Sequence, residues 1–326
     1  MMENLKTRKE NMMPKKLVNT KKITNDQWLA LRRQSLGGSD AGTCVGMNQY
    51  SSLITLYSRK KGLVKDVEDN EAMRLGRDLE QYVANRFTEA TGKKVINDTF
   101  MYMDDEYDFI TANVDRKVVG EKAGLECKTM GSFNGYNIES GEIPAHYYCQ
   151  IQHYCMVMNW DCMYIGILVL QRGFFWHKIE RDDEFIKQLR EAEIDFWKNY
   201  VETGKIPAPD GSEASLETLK QLYPQSEANR EVMIPGLDQL VRDYKAFKAM
   251  ADEYKEKAEK CKAIVCSKLG NAEIGIGNDF GCSWKTQSRM TVPDKKLKAK
   301  YPAIYAELAE ETDYRVFRTK NLTKKK

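Results

Sequence analysis

Histidine and closely paired cysteine are what this sequence has least of. Among 326 residues there are three histidines, His146, His153 and His177, and none of the eight cysteines stands in a Cys-x-x-Cys pair. Tetrahedral zinc draws on clustered Cys and His ligands, and these spacings argue against it. No apolar run approaches the roughly 20 residues of a membrane span, and the first residues carry no apolar signal-peptide region. A cytoplasmic protein that does not touch the membrane is expected, with thiols packed as small apolar groups rather than paired in disulfides. Excess charge of one sign is also missing: the net charge is only +3. Charge is instead concentrated at the ends, with Lys6, Arg8, Lys9, Lys15, Lys16, Lys21 and Lys22 near the start and Lys324, Lys325 and Lys326 at the close. Such runs commonly solvate a flexible tail, here residues 1–22, and less often act as arms that touch phosphates.

An apolar fraction of 42% and a charged fraction of 30% are those of a globular chain. Thr24-Asn25-Asp26-Gln27 has the form of a capping box, and predicts a helix from about Asn25 to Ser35 with Trp28 and Leu31 inward. It carries Arg32 into Gly37-Gly38-Ser39-Asp40, which reads either as an ordinary turn and N-cap or as an anion-holding helix start. Helices follow over about Ser52–Lys61 and Glu71–Thr91, the second with Ala72, Leu75, Leu79, Val83 and Phe87 as its apolar stripe and Glu80 beside it. Strands are expected within Lys94–Met103, then a hairpin across Gly120-Glu-Lys-Ala-Gly124, a polar loop at 131–143 that could cover a site, and a helix over about Pro144–Asn159. A second hairpin over Met163–Glu180 and a long helix to about Tyr200 complete a region of mixed strands and helices. Pro207, Pro209 and Gly211 mark a linker at 204–212. Beyond it, apolar residues step by three and four from Leu237 to Leu269 as in a coiled coil, followed by a hairpin near Gly277 and a helix over about Lys296–Glu310.

The central hairpin carries the chemistry. On a strand alternate side chains share a face, so Glu126 and Lys128 point one way while Leu125 and Cys127 point the other, and the turn returns Asp115 to their neighbourhood. In most proteins a Glu-x-Lys on a strand is solvated surface. Two carboxylates and an ammonium that converge are also what a hard divalent cation and an attacking water require.

In order, Trp28-Leu-Ala-Leu-Arg32, Gly37-Gly-Ser39-Asp-Ala41, Leu75-Gly-Arg-Asp-Leu-Glu80, Leu125-Glu-Cys-Lys128 and Gln150-Ile-Gln152-His-Tyr154 resemble the YqaJ-type phage recombination nucleases, relatives of lambda exonuclease in the PD-(D/E)xK superfamily. The resemblance spans about Gln27–Glu180; Val114 stands where the family often has proline before the aspartate, a backbone difference that leaves the chemistry in place. It implies an α/β fold with a restriction-endonuclease-like core, a mixed β-sheet flanked by helices, over residues 23–203, and a helical and β-hairpin appendage over 213–326. It implies that Asp115, Glu126 and the main-chain carbonyl of Cys127 hold Mg²⁺, with Mn²⁺ as substitute. Glu80 completes a second metal position or orients its water, Lys128 positions or activates the attacking water, Gln152 assists, and Arg32 and Ser39 grip a 5′-phosphate. Cys149, Cys155 and Cys162 lack the spacing of an iron–sulfur site, and no cluster is expected. The function implied is 5′→3′ exonuclease action on ends of double-stranded DNA, leaving 3′ strands for a single-strand annealing recombinase, by a homo-oligomeric ring, often a trimer, in the bacterial cytoplasm. The rivals are a structure-specific or restriction-like endonuclease on the same core and a non-catalytic DNA- or partner-binding module.

Overall fold

The structure, a computed structural model, describes residues 14–65, 69–132, 135–310 and 314–319. The basic residues before position 14 and Lys324 to Lys326 lie outside the described residues. The chain divides into two units between Tyr223 and Pro224.

The first unit opens on β1 (Lys15–Asn19), so part of the expected tail is built into the fold. Next come α1 (Asn25–Arg33), α2 (Gly38–Cys44), α3 (Leu53–Lys60) and α4 (Glu71–Thr91). Local chemistry sets their ends. The Thr24 hydroxyl accepts from the Gln27 amide at 3.3 Å while the Gln27 side chain accepts from the Thr24 amide at 2.9 Å, the reciprocal cap that the sequence predicts. Ser52 and Asn70 cap α3 and α4, and α4 stops where Gly92 turns left-handed at φ 71°.

Strands β2 (Val95–Asn97), β3 (Phe100–Met103), β4 (Thr111–Ala112), β5 (Arg116–Val118) and β6 (Ala123–Met130) follow, then α5 (Ala145–Met158), β7 (Cys162–Val169), β8 (Gly173–Glu180) and α6 (Asp183–Phe196), which runs on as a π-helical stretch over Trp197–Glu202. Strands β1, β3 and β4 make a small antiparallel sheet, and the main sheet has the order β2-β5-β6-β7-β8. It is mixed: β6 and β7 run parallel, with Glu126 beside Ile165, joined by the α5 crossover, and the other neighbours are antiparallel. This is the mixed sheet flanked by helices that the resemblance implies.

Each face has its own helix. Ala123 and Leu125 of β6 and Cys162 and Tyr164 of β7 pack with Ala84 and Phe87 of α4. Met163, Ile165, Ile167 and Val169 point the other way, into the larger core with Ile151, Tyr154, Cys155 and Met158 of α5. Gly166 shows how closely α4 lies, since a Cβ there would meet Val83 Cγ1 at 3.1 Å. Burial of a side chain such as Leu125 contributes roughly 1.5–3 kcal/mol. The expected stripe of α4 is correct only in its second half: Val83 and Phe87 are buried and Leu79 is half-buried, whereas Ala72 and Leu75 are exposed because the sheet lies under the C-terminal half of the helix alone.

Helix α7 (Glu213–Leu222) belongs to this first unit, which moves the boundary beyond the 204–212 linker. Its Thr218 hydroxyl lies 2.7 Å from that of Thr55 on α3. The second unit holds α8 (Leu237–Leu269), a hairpin of β9 (Ile274–Ile276) and β10 (Gly281–Ser283), then α9 (Asp294–Lys300) and α10 (Pro302–Leu308). The single terminal helix expected from the sequence is two, because Pro302 cannot continue the ladder of α9 and opens α10 instead.

Candidate active site

Residues Glu126 and Lys128 leave β6 on the face covered by α5, and Leu125 leaves it on the face covered by α4. Glu126 Oε1 accepts from Lys128 Nζ at 2.7 Å. Asp115, the residue before β5, lies against the same strand, and its Oδ2 accepts from the Cys127 amide at 2.8 Å. Sequence neighbours on two antiparallel strands thus place two carboxylates and one ammonium together. Glu80, one turn before the buried part of α4, reaches the same region and pairs with the Arg116 guanidinium, which also donates to the Asp115 carbonyl at 2.8 Å.

The helix α5 supplies the residue that joins these groups. Gln150 donates to Glu126 Oε1 at 2.7 Å, accepts from Lys128 at 3.0 Å and donates to the Tyr154 hydroxyl at 3.1 Å. Tyr154 in turn donates to the Asn113 carbonyl at 3.0 Å, two residues before Asp115. Gln152 is elsewhere, contrary to the sequence reading. It donates to the Glu180 carbonyl at 2.8 Å and accepts from the Asp182 amide at 2.9 Å, tying down the corner between β8 and α6. Two residues along a helix turn a side chain by about 200°, so Gln150 and Gln152 cannot share a face. The signal that points to Gln150 is its i,i+4 spacing to Tyr154. Neighbouring His153 is also engaged in structure, fully buried between Glu193 at 2.7 Å and the Thr111 carbonyl at 2.8 Å.

The electrostatics of the cluster are those of negative charge short of compensation. Burial, then the charges of Glu126 and Glu80, push the Asp115 carboxyl well above its ordinary range against the pull of Lys128 and the Cys127 amide. Glu126 is 3% exposed, and its Oε2 is buried with no hydrogen-bond partner. Burial acts to lower the pKa of Lys128, but the charges of Glu126 and Asp115 outweigh it and the pKa is raised. Among the described residues no group of three or more His, Cys, Asp or Glu side chains forms a metal nest on its own. What the site offers is two carboxylates, one with an orphaned oxygen, and the main-chain carbonyl of Cys127, whose amide already bonds Asp115. That set fits Mg²⁺, which keeps several waters and is usually held by one or two carboxylates. Glu80, turned to Arg116, is available to such an ion only if that ion pair opens.

Arg32 and Ser39 are also brought together, with Arg32 Nη2 donating to Ser39 Oγ at 2.7 Å. Beneath them Lys60 donates to Asp40 at 2.7 Å and to the carbonyls of Arg32 and Ser35 at 2.7 and 2.6 Å. Burial alone would raise the Asp40 pKa, but the charges of Lys60 and Arg32 and the bonds from Lys60 and the Gly37 amide hold it at about 2. The glycines of this segment have a packing role that the sequence left open. A Cβ on Gly38 would lie 2.6 Å from Tyr154 Cε1 and 3.0 Å from Gln150 Cγ, and one on Gly42 would lie 3.1 Å from the His146 backbone. Only glycine lets α2 lie this close to α5, and Gln150 therefore touches both the Arg32–Ser39 segment and the acids.

Comparison with known proteins places the chain in a family. The YqaJ-like viral recombinase domain matches residues 27–161. The structure is similar to an alkaline exonuclease, LHK-Exo, from Laribacter hongkongensis, with a TM-score of 0.47 and 19% identity over 56% of this chain and 94% of that one. It is also similar to a phage related exonuclease from Haemophilus somnus 129PT, with a TM-score of 0.43 and 16% identity over 52% of this chain and 94% of that one. In sequence, the chain is 35% identical over 311 residues to the uncharacterized protein YqaJ of Bacillus subtilis (strain 168), covering 94% of this chain and 98% of the relative. With that identity sustained along nearly the whole of both chains, this protein belongs to the YqaJ family.

Proposed function

We propose that this YqaJ-family nuclease is a Mg²⁺-dependent 5′→3′ exonuclease that works from ends of double-stranded DNA and leaves 3′ single strands for an annealing recombinase. The observation that carries the reading is the Asp115–Glu126–Lys128 cluster, in which a buried Glu126 oxygen has no partner and Asp115 lacks full charge compensation. In this reading Asp115, Glu126 and the Cys127 carbonyl hold the cation. Bound there, a divalent ion supplies charge neutralisation at the phosphoryl oxygens and lowers the pKa of a water. Lys128, with its raised pKa, is an ammonium at neutral pH and acts as a donor that orients the water or the phosphate, not as a base. Gln150 fixes Lys128 and Glu126 relative to each other, and Glu80 holds Arg116 against the Asp115 backbone.

The 5′ polarity rests on Arg32 and Ser39. A guanidinium and a hydroxyl 2.7 Å apart, set on a framework that Lys60 and Asp40 hold rigid, form a donor pair suited to a terminal phosphate dianion. A ring of identical subunits would keep such an enzyme on its duplex, and light scattering of the purified protein reads the number of copies. The test of the function uses a linear duplex labelled at one 5′ end and the same DNA as a closed circle, each with Mg²⁺. Stepwise loss of the labelled strand with the circle intact is expected, and Arg32→Ala should slow digestion of 5′-phosphorylated duplex far more than of 5′-hydroxyl duplex. Cutting of the circle would replace the exonuclease by an endonuclease, and a wild-type protein that spares both would remove the nuclease reading.

A further inference from the structure

Along α8 of the second unit every residue from Tyr244 to Val265 is exposed, a stretch of about six turns. The same stretch carries an apolar stripe at heptad spacing, in which Ala251, Ala258 and Cys261 separate the larger Phe247, Tyr254 and Val265. Phe247 is 68% exposed and Tyr254 64%. The two ends of the helix are engaged within the unit. Tyr244 meets Phe317 edge-on with ring centroids 5.2 Å apart, and Leu269 packs under the β9–β10 hairpin, where a Cβ on Gly275 would lie 2.9 Å from Leu269 Cδ2. Large apolar side chains exposed at successive turns of one helix face mark a surface that pairs with another helix.

Charge along the stripe selects the partner. Immediately after Phe247, Tyr254 and Cys261 come Lys248, Lys255 and Lys262, which line one edge of the stripe. The other edge, immediately before Ala251, Ala258 and Val265, holds Met250, Lys257 and Ile264. The carboxylates of this stretch, Asp252, Glu253, Glu256 and Glu259, fall on the outer face of the helix. Three of them reach edge lysines, with Lys248–Asp252 at 3.7 Å, Lys257–Glu253 at 2.6 Å and Lys262–Glu259 at 3.0 Å, but exposed pairs of this kind hold their ammonium groups weakly. Arg318 adds a further cation on the Lys248 side, across a cavity that both residues line. In paired helices the residues at these edges face the partner and set its charge. A second copy of α8 offers only more lysine there, and the segments 1–13 and 320–326, outside the described residues, have a surplus of lysine and arginine as well.

We propose that the Tyr244–Val265 face of α8 docks an amphipathic helix of a partner protein, one whose own apolar stripe is edged by aspartate and glutamate. Large side chains of that helix fill the spaces over Ala251 and Ala258, and its carboxylates meet Lys248, Lys255, Lys257 and Lys262. The dock lies wholly within the second unit, uses neither Asp115 nor Glu126 and is independent of the nuclease reading.

The test is a peptide titration with the full-length protein. The probe is a synthetic helix of four heptads with leucine at the inward positions, glutamate at both edges and a fluorescent label read by anisotropy; its sister has lysine at both edges. The glutamate peptide should bind at micromolar protein, and the lysine peptide on the order of tenfold more weakly. Phe247→Gln combined with Tyr254→Gln, at exposed positions and with a good helix former, should weaken the glutamate peptide by a similar factor. Lys248→Glu, Lys255→Glu and Lys262→Glu together should reverse the preference between the two peptides, with circular dichroism checking that both variants keep the helix. A wild type that binds neither peptide, or binds both equally, would overturn the proposal. So would an unchanged preference in the charge-reversed protein, which would put the peptide on another surface. Two further results would overturn it by giving the face to another occupant. Light scattering in which Phe247→Gln with Tyr254→Gln loses subunits would give the stripe to a second copy, and displacement of the peptide by an equal concentration of duplex DNA would give the lysines to nucleic acid.

Discussion

Replacing Gly38 by alanine should destabilise the protein and disable the site together. A Cβ at Gly38 would stand 2.6 Å from Cε1 and 2.8 Å from Cζ of Tyr154. Ordinary carbon contacts lie near 3.5–4.0 Å, so roughly 1 Å of movement is demanded. Tyr154 cannot give way freely: it is 5% exposed, and its hydroxyl is held by Gln150 and by the Asn113 carbonyl. Overpacking of this kind costs about 1–3 kcal/mol, more than the helix propensity gained by losing a glycine at the first residue of α2. The same displacement moves Gln150, and with it Lys128 and Glu126, so the proposed nuclease activity should fall at least tenfold at temperatures where the variant is folded. Gly76→Ala is the control, a glycine within α4 with no atom inside 4 Å of the added Cβ, and it should stabilise by about 0.5–1 kcal/mol with the rate unchanged. Urea unfolding followed by tryptophan fluorescence reports chiefly on the first unit, which holds four of the five tryptophans. A Gly38→Ala protein as stable and as active as the wild type would show that α2 is not pressed on α5, and would remove the account given of the Gly-Gly-Ser-Asp segment.

The two glutamines of α5 should separate chemistry from structure. Gln150→Ala should lower kcat about 10–100-fold through the loose Lys128 with little change in unfolding midpoint, whereas Gln152→Ala, which empties the place of a fully buried side chain and removes its bonds to the part-buried Glu180 carbonyl and Asp182 amide, should cost about 1–3 kcal/mol and leave kcat of the folded enzyme near wild type; the reverse pattern would return Gln152 to the site. Asp40 gives an acid limb to stability. Its folded pKa of about 2 lies below the ordinary 3.8 of an aspartate, so the stabilisation is present above the unfolded pKa and is lost as pH falls from about 4 to about 2. The shift corresponds to roughly 2 kcal/mol, and Asp40→Asn should flatten that limb in urea midpoints measured across the window. Mg²⁺ should raise the melting temperature of the wild type, by the equivalent of about 2.7 kcal/mol at one hundred times its dissociation constant, and should do so far less for Asp115→Asn. Equal stabilisation of both proteins would place the ion elsewhere.

What could be read from the sequence was whatever depends on neighbours within one turn or one strand. The Thr24–Gln27 cap is four consecutive residues, and the separation of Glu126 and Lys128 from Leu125 is strand alternation. Contacts between distant segments were not legible in the same way. The parallel pairing of β6 with β7 depends on the α5 crossover, and nothing within Leu125–Lys128 specifies it. Lys15 to Asn19 read as tail because they lie within a run of basic residues, yet they pair with Phe100 to Met103, about 80 residues on. The stripe of α4 has a regular period through all five expected positions, but period reports which residues share a face and not how far along the helix that face is covered. Ala72 and Leu75 carry the pattern without the burial.

The misplacement of Gln152 has the same origin and explains why the site was only partly legible. In a half-exposed helix the polar residues mark the solvent side, and a glutamine in the apolar stripe stands out. Helix α5 has no solvent side over most of its length: Cys149 to Cys155 are all buried, so Gln150, Gln152 and His153 are each inside and each hydrogen-bonded. Polarity pattern then carries no information about direction. What remains is rotation about the helix axis, which puts Gln150 and Tyr154 on one line and Gln152 on another. That line becomes informative only when the sheet beneath it is known, because it is Glu126 and Lys128 on β6, and Gly38 on α2, that give the Gln150 face its chemistry. The acids could be found from their strand, but the residue that binds them to the Arg32–Ser39 segment is defined by three elements meeting, and such a residue becomes visible only once the elements are assembled.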